Sequence, residues 1–141
     1  MTTTPLLHQA HQLRALSHPL RLRVAALLNS GDLRVCQLGA IFDLPFSTIS
    51  THLAALRRAG IVEEKREGRG VTYRLVRKPA IARCLRALWK DLDGDPVIER
   101  DRAKAQRALA VAPEDLCVAN LDLSKATRAQ CSRAQASRSA Q

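Results

Sequence analysis

The chain has 141 residues, 46% of them hydrophobic but only 3% aromatic. Its core must therefore be built from Leu, Ala, Val and Ile, a mixture that favours helices over an all-β sandwich. A formal charge of +10, from 23 basic and 13 acidic residues, favours a polyanionic partner, because Lys and Arg displace the counterions condensed on phosphates. No apolar run reaches the ~18 residues that would mark a membrane span. Residues 1–13 lack the basic start and apolar stretch of a signal peptide, so a cytoplasmic protein is expected.

In chain order, the first helix is expected over residues 5–16, where Leu6, Ala10, Leu13 and Leu16 share a face. Ser17, His18 and Pro19 interrupt it. Proline suits the first turn of a new helix, and His18 before it reads as a cap or turn residue. The second helix runs to about residue 29 with Leu20, Val24, Leu27 and Leu28 inward, and Ser30-Gly31-Asp32 stops it and offers a cap to the next. A short third helix holds Val35, Leu38, Ile41 and Phe42, and Asp43-Leu44-Pro45 makes a tight turn. A fourth helix follows over residues 46–59, with Phe46, Ile49, Leu53 and Leu56 inward and Gly60 as its left-handed stop.

The apolar period then changes to two. Residues 61–67 and 71–76 read as strands joined by Gly68-Arg69-Gly70, with Val71, Tyr73 and Leu75 alternating against Thr72 and Arg74. A fifth helix begins after Pro79 with Ile81, Leu85, Leu88 and Leu92 on one stripe, and a sixth covers residues 95–111. The fold class is thus mainly α with a small β-hairpin. Residues 1–93 form the compact unit, 94–112 an extra helix, and 113–141 a largely flexible tail, since residues 124–141 are rich in Ser, Ala, Arg and Gln. The compact unit carries a net +8 against +2 for the remainder, which argues against the tail as the main nucleic-acid arm.

Short helices around a tight turn, followed by a hairpin with a basic tip, form a winged helix-turn-helix pattern. The fourth helix is the candidate reader. Its apolar stripe leaves Ser47, Thr48, Ser50 and Thr51 outward, and small hydroxyl residues let a helix approach base edges in the major groove. Arg57 and Arg58 would meet the DNA backbone, and His52 would reach a phosphate or brace the motif. In the hairpin, Lys65, Arg66 and Arg69 stand where a wing touches phosphate or the minor groove. Each feature alone is an ordinary solvated surface; their order and shared sign of charge make the joint reading.

Residues 13–28, LRALSHPLRLRVAALL, together with 50–75, STHLAALRRAGIVEEKREGRGVTYRL, resemble the opening signature, recognition helix and wing of the ArsR-type (ArsR/SmtB) transcriptional repressors. The resemblance covers residues 9–77. It implies a homodimer built on the first and fifth helices, which binds an inverted-repeat operator in double-stranded DNA and releases it when an effector binds. The apolar stripes on those two helices agree with such a dimer.

Family members that sense arsenite or soft metals carry Cys-Val-Cys in a Leu-Cys-Val-Cys-Asp-Leu context. The matching stretch here is Leu33-Arg34-Val35-Cys36-Gln37-Leu38, so Cys36 keeps one thiol and Arg34 replaces the other. Soft centres need two or three thiolates at short range. The missing ligands would come from Cys84, on the fifth helix, or Cys117, in a semi-apolar island that could fold back to Cys36; Cys131 is expected free. The expected effector is then arsenite, a soft metal ion or an oxidant, the alternative being a member of the family with no metal effector at all. The zinc-type site on the fifth helix is not evident, because residues 80–93 hold no histidine, and His8 and His11 make a weak pair. No nucleophile elbow, phosphate loop or metal-hydrolase motif suggests an enzyme. The alternative is a winged-helix module that binds protein or RNA without an operator.

Overall fold

The computed structural model describes residues 4–68, 70–119 and 122–139. Its elements in chain order are α1 (Pro5–Leu16), α2 (Pro19–Ser30), β1 (Leu33–Arg34), α3 (Val35–Phe42), α4 (Phe46–Arg58), β2 (Val62–Glu67), β3 (Gly70–Leu75), α5 (Pro79–Asp91), α6 (Pro96–Leu109), α7 (Pro113–Val118) and α8 (Leu123–Ser139).

Helix starts follow the chemistry of their first residues. α1, α2, α5, α6 and α7 each have Pro in the first turn, where a missing N–H costs nothing and a fixed φ helps. Thr4, His18 and Asp95 supply side-chain caps; His18 Nδ1 accepts from the Leu20 N–H at 3.2 Å. The cap of α3 is Arg34 rather than the Ser30-Gly31-Asp32 stretch, because a strand intervenes. The Arg34 N–H donates to Gln37 Oε1 at 2.8 Å.

Two left-handed residues set the helix-turn-helix geometry. Asp43 (φ 54°) ends α3, and the Leu44 N–H returns to the Gly39 carbonyl at 3.0 Å. Gly60 (φ 71°) ends α4, with the Ile61 N–H reaching the Leu56 carbonyl at 3.0 Å. Such a closure satisfies carbonyls that the helix end would leave unpaired and turns the chain into β2.

The sheet has the order β1-β3-β2 and is antiparallel throughout; Leu33 pairs with Tyr73, Val62 with Leu75 and Glu67 with Gly70. β1 was not anticipated, since two residues give no periodicity. Its pairing makes β3 the central strand and buries Thr72, which alternation alone would leave outward. The core beneath is aliphatic: Val24, Leu28, Leu38, Ile41, Ile49, Leu53, Leu56 and Ile61 are all essentially inaccessible. Phe46, predicted inward, stands 43% exposed at the open N-terminal end of α4.

The C-terminal part differs most from the sequence reading. Where composition predicts a largely flexible tail over 113–141, α7 and α8 occupy most of the described residues, and Val111, Leu116, Leu123 and Ala126 join the main core cluster. The apolar positions there are few but well placed: Leu123 and Ala126 fall three apart on one helical face. Nor is α6 an appendage. Its Asp101, 2% exposed in its side chain, takes both Arg23 Nε and Nη2 of α2 at 2.7 Å, while the Arg23 guanidinium lies 5.0 Å from the Phe42 ring centre. A bidentate arginine–carboxylate pair of this kind fixes orientation as well as position.

Candidate nucleic-acid interface and thiol cleft

α4 buries Ile49, Leu53 and Leu56 and turns Ser47, Ser50, Thr51, Arg57 and Arg58 to solvent, with Thr48 and His52 half-buried at the edges. Thr51 Oγ1 donates to the Ser47 carbonyl at 2.9 Å. Its remaining hydrogen-bonding capacity is therefore to accept, whereas Ser47 and Ser50 keep a free hydroxyl proton among the described residues.

The arginines divide. Arg57 is ion-paired to Glu64 of β2, whose other carboxylate oxygen accepts from the Tyr73 hydroxyl at 3.4 Å. The pair links α4 to the wing, and the Arg57 side chain stays about half exposed. Arg58 and Arg66 are exposed and have no ion pair among the described residues. Lys65 is shared with Glu67 at 2.6 Å and remains half exposed. Arg69 lies outside the described residues; Gly68 before it has φ 59°.

His52 stands against the start of α2. Its ring centre is 4.7 Å from that of His18 at the start of α2. Burial first, then the neighbouring His18 and Arg21, push its pKa below the ordinary histidine value. The face therefore presents a neutral, hydroxyl-lined helix flanked by open cations, an arrangement suited to a duplex with phosphates at its rim.

Behind the N-terminal end of α4 lies a cleft of about 400 Å³ lined by Arg34, Cys36, Phe46, Gly70, Glu114 and Cys117, among others. Cys36 is buried at the start of α3 and Cys117 is exposed on α7. Burial raises the Cys36 pKa most; the Cys117 thiol beside it raises it further by charge and as a hydrogen-bond partner. The fold thus brings together two of the three cysteines proposed as a sensor. Cys84 is not among them: half-buried on α5, it packs on the core and does not line the cleft. No group of three or more His, Cys, Asp or Glu suited to a metal ion occurs among the described residues. Arg34, Phe46 and Glu114 were missed as cleft residues. Arg34 alone had a signal, since it stands where a second thiol would have been.

A third feature lies apart. On α1, Leu6 is 77% and Leu13 54% exposed, while Leu16 is buried. The predicted apolar stripe is real, but only its last residue finds cover within one chain.

The model of the bacterial regulatory protein arsR family matches residues 18–64, the span from the α2 cap to the middle of β2. A biofilm growth-associated repressor of Agrobacterium fabrum is 42% identical over 77 residues, which are 55% of this chain and 65% of that protein. The chain therefore spans slightly less than two thirds of that relative. Among solved structures, the transcriptional repressor BigR from Xylella fastidiosa is 33% identical, with a TM-score of 0.55 over 62% of this chain and 85% of that one. The homodimeric winged helix-turn-helix DNA-binding domain of Mb0332 from Mycobacterium bovis, described as a possible ArsR-family regulator, is 30% identical. Its TM-score is 0.56 over 62% of this chain and 81% of that one. No described helix is long and apolar enough to cross a membrane.

Proposed function

Because the chain belongs to the arsR family of bacterial regulatory proteins, we propose that it is a homodimeric repressor that binds operator DNA and is released by a thiol-reactive effector. The observation that carries the first half is the outward face of α4, with Ser47, Ser50 and Thr51 exposed beside Arg58 and the wing's Arg66. In this reading, the hydroxyls of α4 approach base edges, Arg58, Lys65, Arg66 and Arg69 neutralise phosphates, and Arg57 and His52 hold the helix in register. Two copies joined through the uncovered Leu6 and Leu13 of α1, with α5, set two readers about one duplex turn apart.

The second half rests on Cys36 and Cys117 sharing one cleft. Two thiols, with no third in the cleft among the described residues, favour dithiol chemistry. With arsenite, two As–S bonds form and the two displaced hydroxides leave as water with the thiol protons. With a peroxide, an S–S bond forms, the two electrons reduce the O–O bond, and two waters leave. Either event ties α7 to α3, the helix packed behind the reader, and favours a dimer geometry that fits DNA less well. Cys84 is a spectator in this account.

A gel shift on the DNA upstream of the protein's own gene, repeated across a salt series, tests the operator reading. A nucleic-acid reader loses affinity steeply as salt rises. Binding to single-stranded RNA alone, or to neither nucleic acid, would favour the interaction-module alternative.

A further inference from the structure

We propose that Arg34 is a positioning residue that transmits the state of the thiol cleft to the wing. The inference rests on the dithiol reading above and names the side chain through which that site would act on the reading face. Three attachments meet at this one residue. Its backbone caps α3 two residues before Cys36, through the N–H held by Gln37 Oε1 at 2.8 Å. The same backbone pairs with Thr72 of β3, so cap and sheet move together. Its guanidinium lies across Gly70, the first residue of β3 and the partner of Glu67 at the outer end of the hairpin. A Cβ on Gly70 would fall 2.8 Å from Arg34 Cζ. The absent side chain is the space that the guanidinium fills.

The cleft supplies a competitor for that guanidinium. Glu114, on α7 three residues before Cys117, lines the same cavity as Arg34, Cys36 and Gly70. On the wing side stands Glu67, whose carboxylate is held low mainly by Lys65 and in small part by Arg34. When an effector joins Cys117 to Cys36, α7 is drawn onto α3 and brings Glu114 toward Arg34. The guanidinium then exchanges its seat on Gly70 for the α7 carboxylate, and the outer end of the wing loses the side chain packed against it. A lysine at this position keeps the charge but lacks the planar fork. An alanine loses both.

The test compares the full-length wild type with Arg34→Ala, Arg34→Lys and Gly70→Ala, each before and after hydrogen peroxide. Free thiols are counted with Ellman's reagent, operator affinity is read by fluorescence anisotropy, and folding is checked by circular dichroism. The wild type is expected to lose two thiols and weaken on DNA by about tenfold, within the usual range of coupling between sites. Arg34→Ala is expected to lose the same two thiols with its affinity changed less than about twofold, and Arg34→Lys to recover part of the response. Gly70→Ala displaces the guanidinium without altering its charge and is expected to copy Arg34→Ala, including where Arg34→Ala itself does not fold. A wild-type affinity ratio retained in both Arg34→Ala and Gly70→Ala overturns the inference while leaving the dithiol sensor standing. Two thiols lost in the wild type with no change in affinity removes the sensor reading itself, and the inference with it.

Discussion

The reading face and the thiol cleft meet at the N-terminal end of α4, yet they are assembled in opposite ways. The face is drawn from one run of chain between Ser47 and Arg74, and its side chains point outward, paired locally as Arg57 with Glu64 and Arg74 with Glu63. The cleft joins Arg34 and Cys36 to Glu114 and Cys117 from across the sequence and places one of its thiols in the interior. A surface that reads a long polymer needs exposed polar groups at regular spacing, which local helix geometry supplies. A switch needs two groups whose separation depends on tertiary packing, so that a change between them is felt elsewhere. Arg23–Asp101 joins α6 to α2 beside the aliphatic contacts of Ala105, Ala108, Val111 and Leu116, which hold α6 and α7 to the core.

Breaking that anchor should give the largest effect. Arg23→Ala leaves the Asp101 carboxylate buried and alone, a change that typically costs about 3–5 kcal/mol. Urea unfolding reads it, and a loss under about 1 kcal/mol would show that the aliphatic contacts, not this pair, hold the C-terminal helices in place. Next come the thiols. Cys36→Ser and Cys117→Ser should each abolish release by peroxide, removing a coupling of about 1–3 kcal/mol while reduced-state binding persists. Cys84→Ser should respond like the wild type, and an inert Cys84→Ser protein would return Cys84 to the sensor. Cys117 should also be alkylated before Cys36, whose raised pKa keeps it a thiol to higher pH.

On the reading face the expected effects are smaller. Thr48→Ala or Ser50→Ala should cost about 1 kcal/mol on the cognate operator and far less on random DNA. Equal losses on both would turn a base contact into a backbone one. Arg66→Ala or Arg69→Ala should flatten the salt dependence by about 0.9 in log–log slope for each protomer bound. Arg57→Ala should change that slope less and the melting temperature more, because Arg57 is occupied by Glu64.

The smallest effect concerns His52. Its folded-state pKa is below the unfolded value, so the unfolded chain takes up its proton first as pH falls. Stability from this residue is therefore present above about pH 6.5 and declines as pH drops below that value toward the folded pKa. His52→Gln should flatten the decline; an unchanged pH profile would remove His52 as its source.

Much of the architecture was legible because it rests on local rules. Pro5, Pro19, Pro79 and Pro96 mark helix starts, Gly60 marks a stop, and the stripe Ile49, Leu53, Leu56 orients α4 outward on its hydroxyl side. What escaped was non-local. Two-residue β1 has no pattern of its own and exists by pairing with β3. The helix α8 hides behind Ser, Arg and Gln because two small contacts, Leu123 and Ala126, attach its first turn. That Glu64 lies across from Arg57 was likewise invisible in sequence spacing. Cys117 was named as a partner for Cys36, and the apolar face of α5 already favoured a small packed residue at Cys84, but chain order alone could not bring Cys117 beside Cys36.

Hydroxyl-radical footprinting of the operator by the reduced and the peroxide-treated protein tests the central claim most directly. Two protected patches centred about one helical turn apart, present in the reduced state and lost after oxidation, are the predicted result. A single patch, no protection at all, or protection that survives the loss of both thiols would contradict it.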